Sequence, residues 1–242
     1  MCKFKYRTMK ILVSDFDYTF FTLSYNENIE AVQHFVAENE NHMFIIATGR
    51  NLKQVSNDLE GLYVPYFFLI CNDGALIYNR KNELLFEKEI PTQIVKPLFD
   101  RLDSCRFLSE VYIDTGSAYT IDTEEKAIKM IAKPLHYKKA EKFLAKLLND
   151  FPEVDGYISE TWMNITNKEA SKGNAISFLT DKFHLNKEEV YVVGDGINDL
   201  SMFEQYKGYA VEDAVESVKE KAVGTVSTFK ELIEIIKKNG QA

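Results

Sequence analysis

Five short apolar runs, each handing over to polar residues, constrain this chain more than any other feature. They are residues 10–15 (KILVSD), 43–47 (MFIIA), 66–71 (YFFLIC), 190–194 (VYVVG) and 208–211 (GYAV). Each is nearly continuous in apolar residues, as strands of a parallel sheet are when both faces are covered. Amphipathic helical patterns lie at 27–40, 51–60, 171–184 and 198–205. A last one, 228–238, carries Phe229, Leu232, Ile233 and Ile236 on one stripe. Strands alternating with helices predict an α/β fold built on a doubly wound, Rossmann-like parallel sheet.

The middle of the chain has a different rhythm. Residues 75–90 read as two strands around the turn Asn79-Arg80-Lys81-Asn82, with helices expected after Pro91 and over 138–151. Strand-like pieces follow at 154–159 and 161–166. A smaller α+β domain, residues 80–166, is therefore expected as an insert between the two halves of the first domain, 1–79 and 167–242.

Composition narrows the function. The chain has 242 residues, 45% hydrophobic and 27% charged, which is ordinary for a soluble globular protein with ample core. A net charge of −8 argues against a general nucleic-acid binder, which would carry a basic face. Any anionic substrate must then be held by local positive charge. Cys2, Cys71 and Cys105 show no metal-ligand spacing, and with no secretory signal they fit a reducing cytoplasm. No apolar run approaches the ~20 residues of a membrane span. The sequence carries no signature of oligomeric state.

In an open α/β sheet, ligands sit beyond the carboxyl ends of the strands. The polar residues that follow the apolar runs are Asp15 and Asp17, then Thr48, Gly49 and Arg50, then Asn72 and Asp73, then Asp195, Asn198 and Asp199. Several carboxylates on one rim cannot stay ionised together without a cation. Hard oxygen donors, with no histidine or cysteine among them, suit Mg²⁺. Thr48, Arg50 and Lys172 of "SKGNA" add hydroxyl and positive charge, which completes an inventory for phosphoryl transfer.

Each fragment also has a plainer reading. Paired acids cap helices, Ser171 can be an ordinary N-cap, and "GDGIND" can be a loop. "CNDG" either reverses the chain into the insert or faces substrate. Trp162 is expected to pack the inserted domain, with Glu160 and Asn164 as secondary candidates for the cleft. His34, His42, His136 and His184 are dispersed and read as surface or core fillers, and Cys71 as a small buried apolar residue.

Taken together, Asp15-Phe-Asp17-Tyr-Thr19, Thr48-Gly49-Arg50, Lys172 before Gly173, and Gly194-Asp195-Gly196-Ile197-Asn198-Asp199 resemble the four motifs of the haloacid dehalogenase (HAD) superfamily. Their order and spacing are similar to those of Cof-type phosphatases, whose type IIB cap is inserted between the second and third motifs. The resemblance runs from about Met9 to the last helix. It implies a HAD core with an α+β cap. It also implies that Asp15 is the nucleophile and that Asp17 is the general acid and base. Thr48 and Lys172 would hold the phosphoryl oxygens, with Gly49, Arg50 and Asn198 on the substrate side. Asp15, the backbone carbonyl of Asp17, and Asp195 would ligate Mg²⁺, with Asp199 in support.

The expected activity is Mg²⁺-dependent hydrolysis of a small phosphorylated metabolite, a sugar phosphate foremost, through an aspartyl phosphate. It would take place in the cytoplasm with no nucleic-acid or membrane partner. Dehalogenases of the superfamily lack an acid at the position of Asp17, which favours a phosphatase. The competing readings are a phosphotransferase or mutase, and a phospho-ligand-binding regulatory protein without turnover. A phospho-acceptor signalling domain ranks last, because such domains are much shorter and lack the insert. The chain departs from its relatives at Tyr18, usually glycine, and Phe20, usually leucine. Glu212 and Asp213 are expected to add negative charge near the rim.

Overall fold

The computed structural model describes residues 9–159 and 161–238. Cys2 and Glu160, both singled out above, lie outside the described residues. The chain opens with β1 (Ile11–Asp15), α1 (Tyr25–Glu38), β2 (Met43–Ala47), α2 (Leu52–Asp58) and β3 (Tyr66–Cys71). A hairpin, β4 (Leu76–Asn79) and β5 (Leu84–Glu87), leads to α3 (Thr92–Asp103). Then come β6 (Leu108–Asp114), β7 (Tyr119–Thr120), β8 (Lys129–Pro134), α4 (Tyr137–Asp150), β9 (Val154–Ile158) and β10 (Met163–Asn167). The return runs through α5 (Lys172–Lys182), β11 (Val190–Gly194), α6 (Leu200–Phe203) and β12 (Lys207–Val211). It ends in α7 (Glu216–Lys221), β13 (Gly224–Val226) and α8 (Phe229–Lys238).

The larger sheet has the order β13-β12-β11-β1-β2-β3-β4-β5, parallel as far as β3 and antiparallel beyond. The order reverses at β1, which has β2 on one side and β11 on the other, so the switch point of the fold lies at its carboxyl end. Leu12 joins Phe20, Phe44 and Phe229 in the core on one face, while Ile11 and Val13 join Ile176 and Leu179 on the other. Side chains alternate along a strand, and here both sides are covered, which is why β1 reads as an unbroken apolar run.

The hairpin and the insert differ from expectation. Residue 80 was the expected start of the insert, yet β5 completes the larger sheet. Ile77 is buried in that sheet's core, and the Phe86 ring lies 4.7 Å from Phe178 of α5. The turn signal between two apolar runs located both strands but carried no information about which sheet they join. The second sheet, β7-β6-β8-β10-β9, is antiparallel and packs on α3 and α4 through Leu98, Leu102, Leu144 and Leu147. Its central strands β6 and β8 escaped the sequence reading. In β6 the register shifts between Ser109 and Tyr112, and Glu110 takes φ 51°, which breaks the alternation. Strand β8 carries a lysine near each end. The helix expected over 198–205 is a 3-10 turn, Ile197–Asp199, followed by the four residues of α6. Neither α7 nor the three residues of β13 left a pattern long enough to read.

The two chain crossings between the sheets lie side by side. Asn167 Nδ2 donates to the Glu89 carbonyl at 2.8 Å, and Lys88 pairs with Glu169. Among the described residues, no helix is long and apolar enough to cross a membrane.

After β1 the chain turns tightly, with the Phe20 and Phe21 amides donating to the Phe16 carbonyl at 3.1 and 2.7 Å. Tyr18 pays for this turn with φ 58° while its side chain is 76% exposed. The left-handed region costs an L-residue roughly 1–2 kcal/mol, which explains glycine as the usual occupant. Tyr18→Gly should therefore hold or raise stability by up to about 1 kcal/mol, since strain relief exceeds the backbone entropy glycine adds. The β-branched Tyr18→Val should lose about 1–2 kcal/mol. Urea denaturation of the two variants gives the order directly, and a less stable glycine variant would contradict the strain.

Candidate active site

The carboxyl ends of β1, β2, β3 and β11 meet at one rim. Asp15 closes β1 and is buried, and Lys172, the first residue of α5, has no solvent exposure at all. The Lys172 ammonium donates to Asp15 Oδ1 and, at 2.7 Å, to Asp199 Oδ1. Local structure sets this meeting point. Ser171 caps α5 by accepting the Asn174 amide at 3.1 Å. Gly74, at φ 97°, lets the turn after β3 press on that cap, where a Cβ would come within 2.1 Å of the Ser171 carbonyl oxygen. Asp199 Oδ2 accepts the amides of Asp195 and Gly196, both at 2.9 Å, which folds the loop after β11 around it. Thr19 Oγ1 then fixes Asp195 by donating to Oδ1 at 2.8 Å.

The charges are unequal. Burial raises the Asp15 pKa well above the ordinary carboxylate range against the pull of Lys172, and Asp199 and Asp195 add to the rise. Burial and then Asp199 raise Asp195. Burial opposes the Lys172 charge, but Asp15, Asp199 and Asp73 outweigh it and raise its pKa. Carboxylate oxygens of Asp15, Asp195 and Asp199 lie within 4.8 Å of one another. An all-oxygen cluster with this excess of negative charge fits a hard divalent cation. Asp199 spends both oxygens on Lys172 and the loop, so Asp15 and Asp195 have the free lone pairs to offer.

Thr48 is buried, and its Oγ1 accepts the Arg50 amide at 3.1 Å, which leaves the hydroxyl proton to donate elsewhere. Gly49 and Asn198 line the cleft. Arg50, read from the sequence as a substrate contact, is engaged otherwise. Its Nε donates to Asp17 Oδ2 at 2.8 Å, Nη2 reaches Asp17 Oδ1, and Nη1 pairs with Asp58 of α2. A guanidinium held between two carboxylates orients Asp17 and has little charge left for a phosphate. The role expected of Asp17 at a metal runs through its backbone carbonyl, so this fork leaves that role open.

Several groups at the rim were not legible in the sequence. Asp73 accepts from Lys129 Nζ of β8 at 2.6 Å, and from Tyr157 of β9 and Asn198 at 3.0 Å each. In the other direction, Asp114 of β6 accepts from Asn51 Nδ2 at 3.2 Å, Asn72 Nδ2 at 3.0 Å and the Gly116 amide at 2.8 Å. Asn72 and Asp73 are thus the points at which the two sheets grip each other. Burial opposes the Asp73 charge, yet Lys129 and Lys172 hold its pKa below the ordinary value. Nothing in "KAIKMIAK" marks Lys129 apart from its neighbouring lysines except its place at the head of an apolar run. Trp162, expected to pack the insert, lines the cleft together with Asn164. Glu212 and Asp213 border a separate groove beside α1 and α8 and do not line the cleft.

A family model described as haloacid dehalogenase-like hydrolase matches residues 12–147 and 117–231. A provisionally named phosphatase of Haemophilus influenzae is 25% identical over 235 residues, covering 85% of this chain and 86% of the relative. One of the phosphatases of the HAD superfamily, from Bacteroides thetaiotaomicron, has a similar fold at TM-score 0.81 and 19% identity, over 99% of this chain and 98% of that one. A HAD subclass IIB sugar phosphatase is similar at TM-score 0.76 and 20% identity, over 96% of this chain and 99% of its own.

The grip at Asp114 has a pH signature. Burial raises its carboxyl above the ordinary 3.8 in spite of the donors from Gly116, Asn51 and Asn72. The folded state thus binds the proton more tightly than the unfolded chain, and stability falls as pH rises from 3.8 through the folded value. Asp114→Asn lacks that loss, so its stability relative to the parent should climb as pH rises above about 4. Urea unfolding at a series of pH values measures the difference; a flat difference would show that Asp114 holds no raised pKa.

Proposed function

The chain belongs to the haloacid dehalogenase-like hydrolases, and on that premise we propose that it is a Mg²⁺-dependent phosphatase of small phosphomonoesters, sugar phosphates foremost. The observation that carries this reading is the buried Lys172 bridging Asp15 and Asp199, with Asp17 two residues beyond Asp15 at the mouth of the cleft.

Asp15 and Asp195 would hold the Mg²⁺ ion, with the Asp17 carbonyl beside them and Asp199 fixing the loop. When bound, the ion offsets the negative charge of the cluster and of the phosphoryl group. The remaining chemistry belongs to the side chains. A carboxylate oxygen of Asp15 forms a bond to phosphorus as the ester oxygen departs, giving an aspartyl phosphate. Lys172 and the Thr48 hydroxyl stabilise the phosphoryl oxygens as charge moves onto them. Asp17 gives its proton to the departing oxygen, then takes one from the water that hydrolyses the aspartyl phosphate.

Arg50 supports both transfers by position, since its two-point fork on Asp17 fixes the direction of that carboxyl group. Gly49 and Asn198, which line the same cleft, would border the phosphoryl group. The wall from the second sheet would exclude water during the first step and shape the choice of leaving group. A cytoplasmic location agrees with the scattered cysteines, of which Cys71 is buried and its thiol pushed up by that burial.

Asp15→Asn should lower turnover with saturating Mg²⁺ by at least about 10³-fold. Steady-state kinetics on an aryl phosphate measures it, and a variant that retains a tenth of the activity would end the nucleophile assignment. Asp17→Ala should cost about 10²–10⁴-fold on alkyl phosphates and far less on p-nitrophenyl phosphate, whose leaving group needs no proton. Equal losses on the two esters would reduce Asp17 to a structural part.

A further inference from the structure

The cleft of about 1190 Å³ between the two sheets is lined by only two described cations, Arg50 and Lys129. Both are already spoken for. Arg50 lies between the carboxylates of Asp17 and Asp58. Lys129 is buried against Asp73 and donates to the Gly49 carbonyl at 3.1 Å. Lys133, which touches two lining residues, pairs with Glu110 at 2.9 Å and sits over the Trp162 ring at 5.9 Å. Against these, Glu110 and Asp114 add two further acids to the lining on the side of the second sheet. The phosphoryl site has its own lysine, Lys172, so the shortage falls on the leaving group.

The same wall is rich in flat faces. Tyr112, Tyr119, Tyr137, Tyr157 and Trp162 all line the cleft, with the Tyr112 and Tyr119 rings 6.2 Å apart. Such rings offer broad apolar contact with a polar edge, and they bind a ring better than a chain. An anionic group brought among them would leave water for a lining in which, among the described residues, no cation is unpaired. Like charges in such positions cost enough to decide specificity.

We infer that the cap wall selects phosphomonoesters whose leaving group is an uncharged or amino-bearing sugar ring, and rejects esters that carry a second phosphate or a carboxylate. The selection deepens the phosphatase reading and rests on it. Arg50 and Lys129 belong to the frame of the cleft, and Glu110 keeps Lys133 in an ion pair.

The test uses one sugar scaffold at three charges, with Mg²⁺ present and low salt. Glucosamine 6-phosphate and glucose 6-phosphate should be hydrolysed with kcat/KM at least about tenfold above glucose 1,6-bisphosphate. The gap should narrow as ionic strength rises. Equal values within twofold, or a preference for the bisphosphate, overturn the inference. Hydrolysis of p-nitrophenyl phosphate without hydrolysis of any sugar ester overturns it as well, yet leaves the phosphatase reading intact. Failure on every ester, p-nitrophenyl phosphate included, brings down the phosphatase reading itself. A second measurement bears on the wall alone. Glu110→Lys should raise the ratio of bisphosphate to monophosphate kcat/KM by about fivefold or more. An unchanged ratio in the folded variant overturns the part assigned to Glu110.

Discussion

A lysine ammonium with no solvent contact is tolerable only where carboxylates meet it, because an unpaired buried charge costs several kcal/mol. Lys172 meets two, and they come from the ends of two neighbouring strands, β1 and β11, that are distant in sequence. Much of the local structure serves that requirement. The Ser171 cap starts α5 at the right point, Gly74 lets the turn after β3 close on it, and the amides of Asp195 and Gly196 hold Asp199 in place. Buried ion triads are poor investments in stability alone, since apolar replacements of similar volume do as well or better. Their presence at the switch point of the sheet therefore argues for chemistry.

The rim is finished by the second sheet. A carboxylate on each side receives donors from the other, Asp73 from Lys129 and Tyr157, Asp114 from Asn51 and Asn72. This reciprocity aligns the aromatic wall with the catalytic rim. Asp73 also feels Lys172, so the contact between sheets and the phosphoryl site share one electrostatic environment. Tyr157 of the aromatic wall is thus held by a carboxylate whose charge Lys172 helps to stabilise.

The parallel strands were legible because burial on both faces leaves runs such as Ile11-Leu12-Val13 with no polar interruption. The rim residues were legible because a strand end must be followed by something polar, and here the polar groups formed one chemical set. Legibility failed where structure depends on partners distant in sequence. The sequence of Leu84–Glu87 suits either sheet, and its pairing with β4 and the packing of Phe86 on Phe178 place it in the larger one. The bulge at Glu110 hides β6, and Lys129 looks like any solvated lysine until Asp73 is brought to it across 56 residues. Arg50 stood in the right motif for a phosphate contact, but Asp58, eight residues on along α2, claims part of its charge.

The paired crossings have a mechanical meaning. One strand crossing between two bodies acts as a swivel, free to twist as well as bend. Two crossings bonded to each other, as Asn167 is to Glu89 and Lys88 to Glu169, behave as a ribbon. Such a pair bends out of its plane more easily than within it, and the bonds between its two edges limit swivelling. Any excursion of the tyrosine wall from the rim would then follow a narrow arc and bring it back facing Asp17.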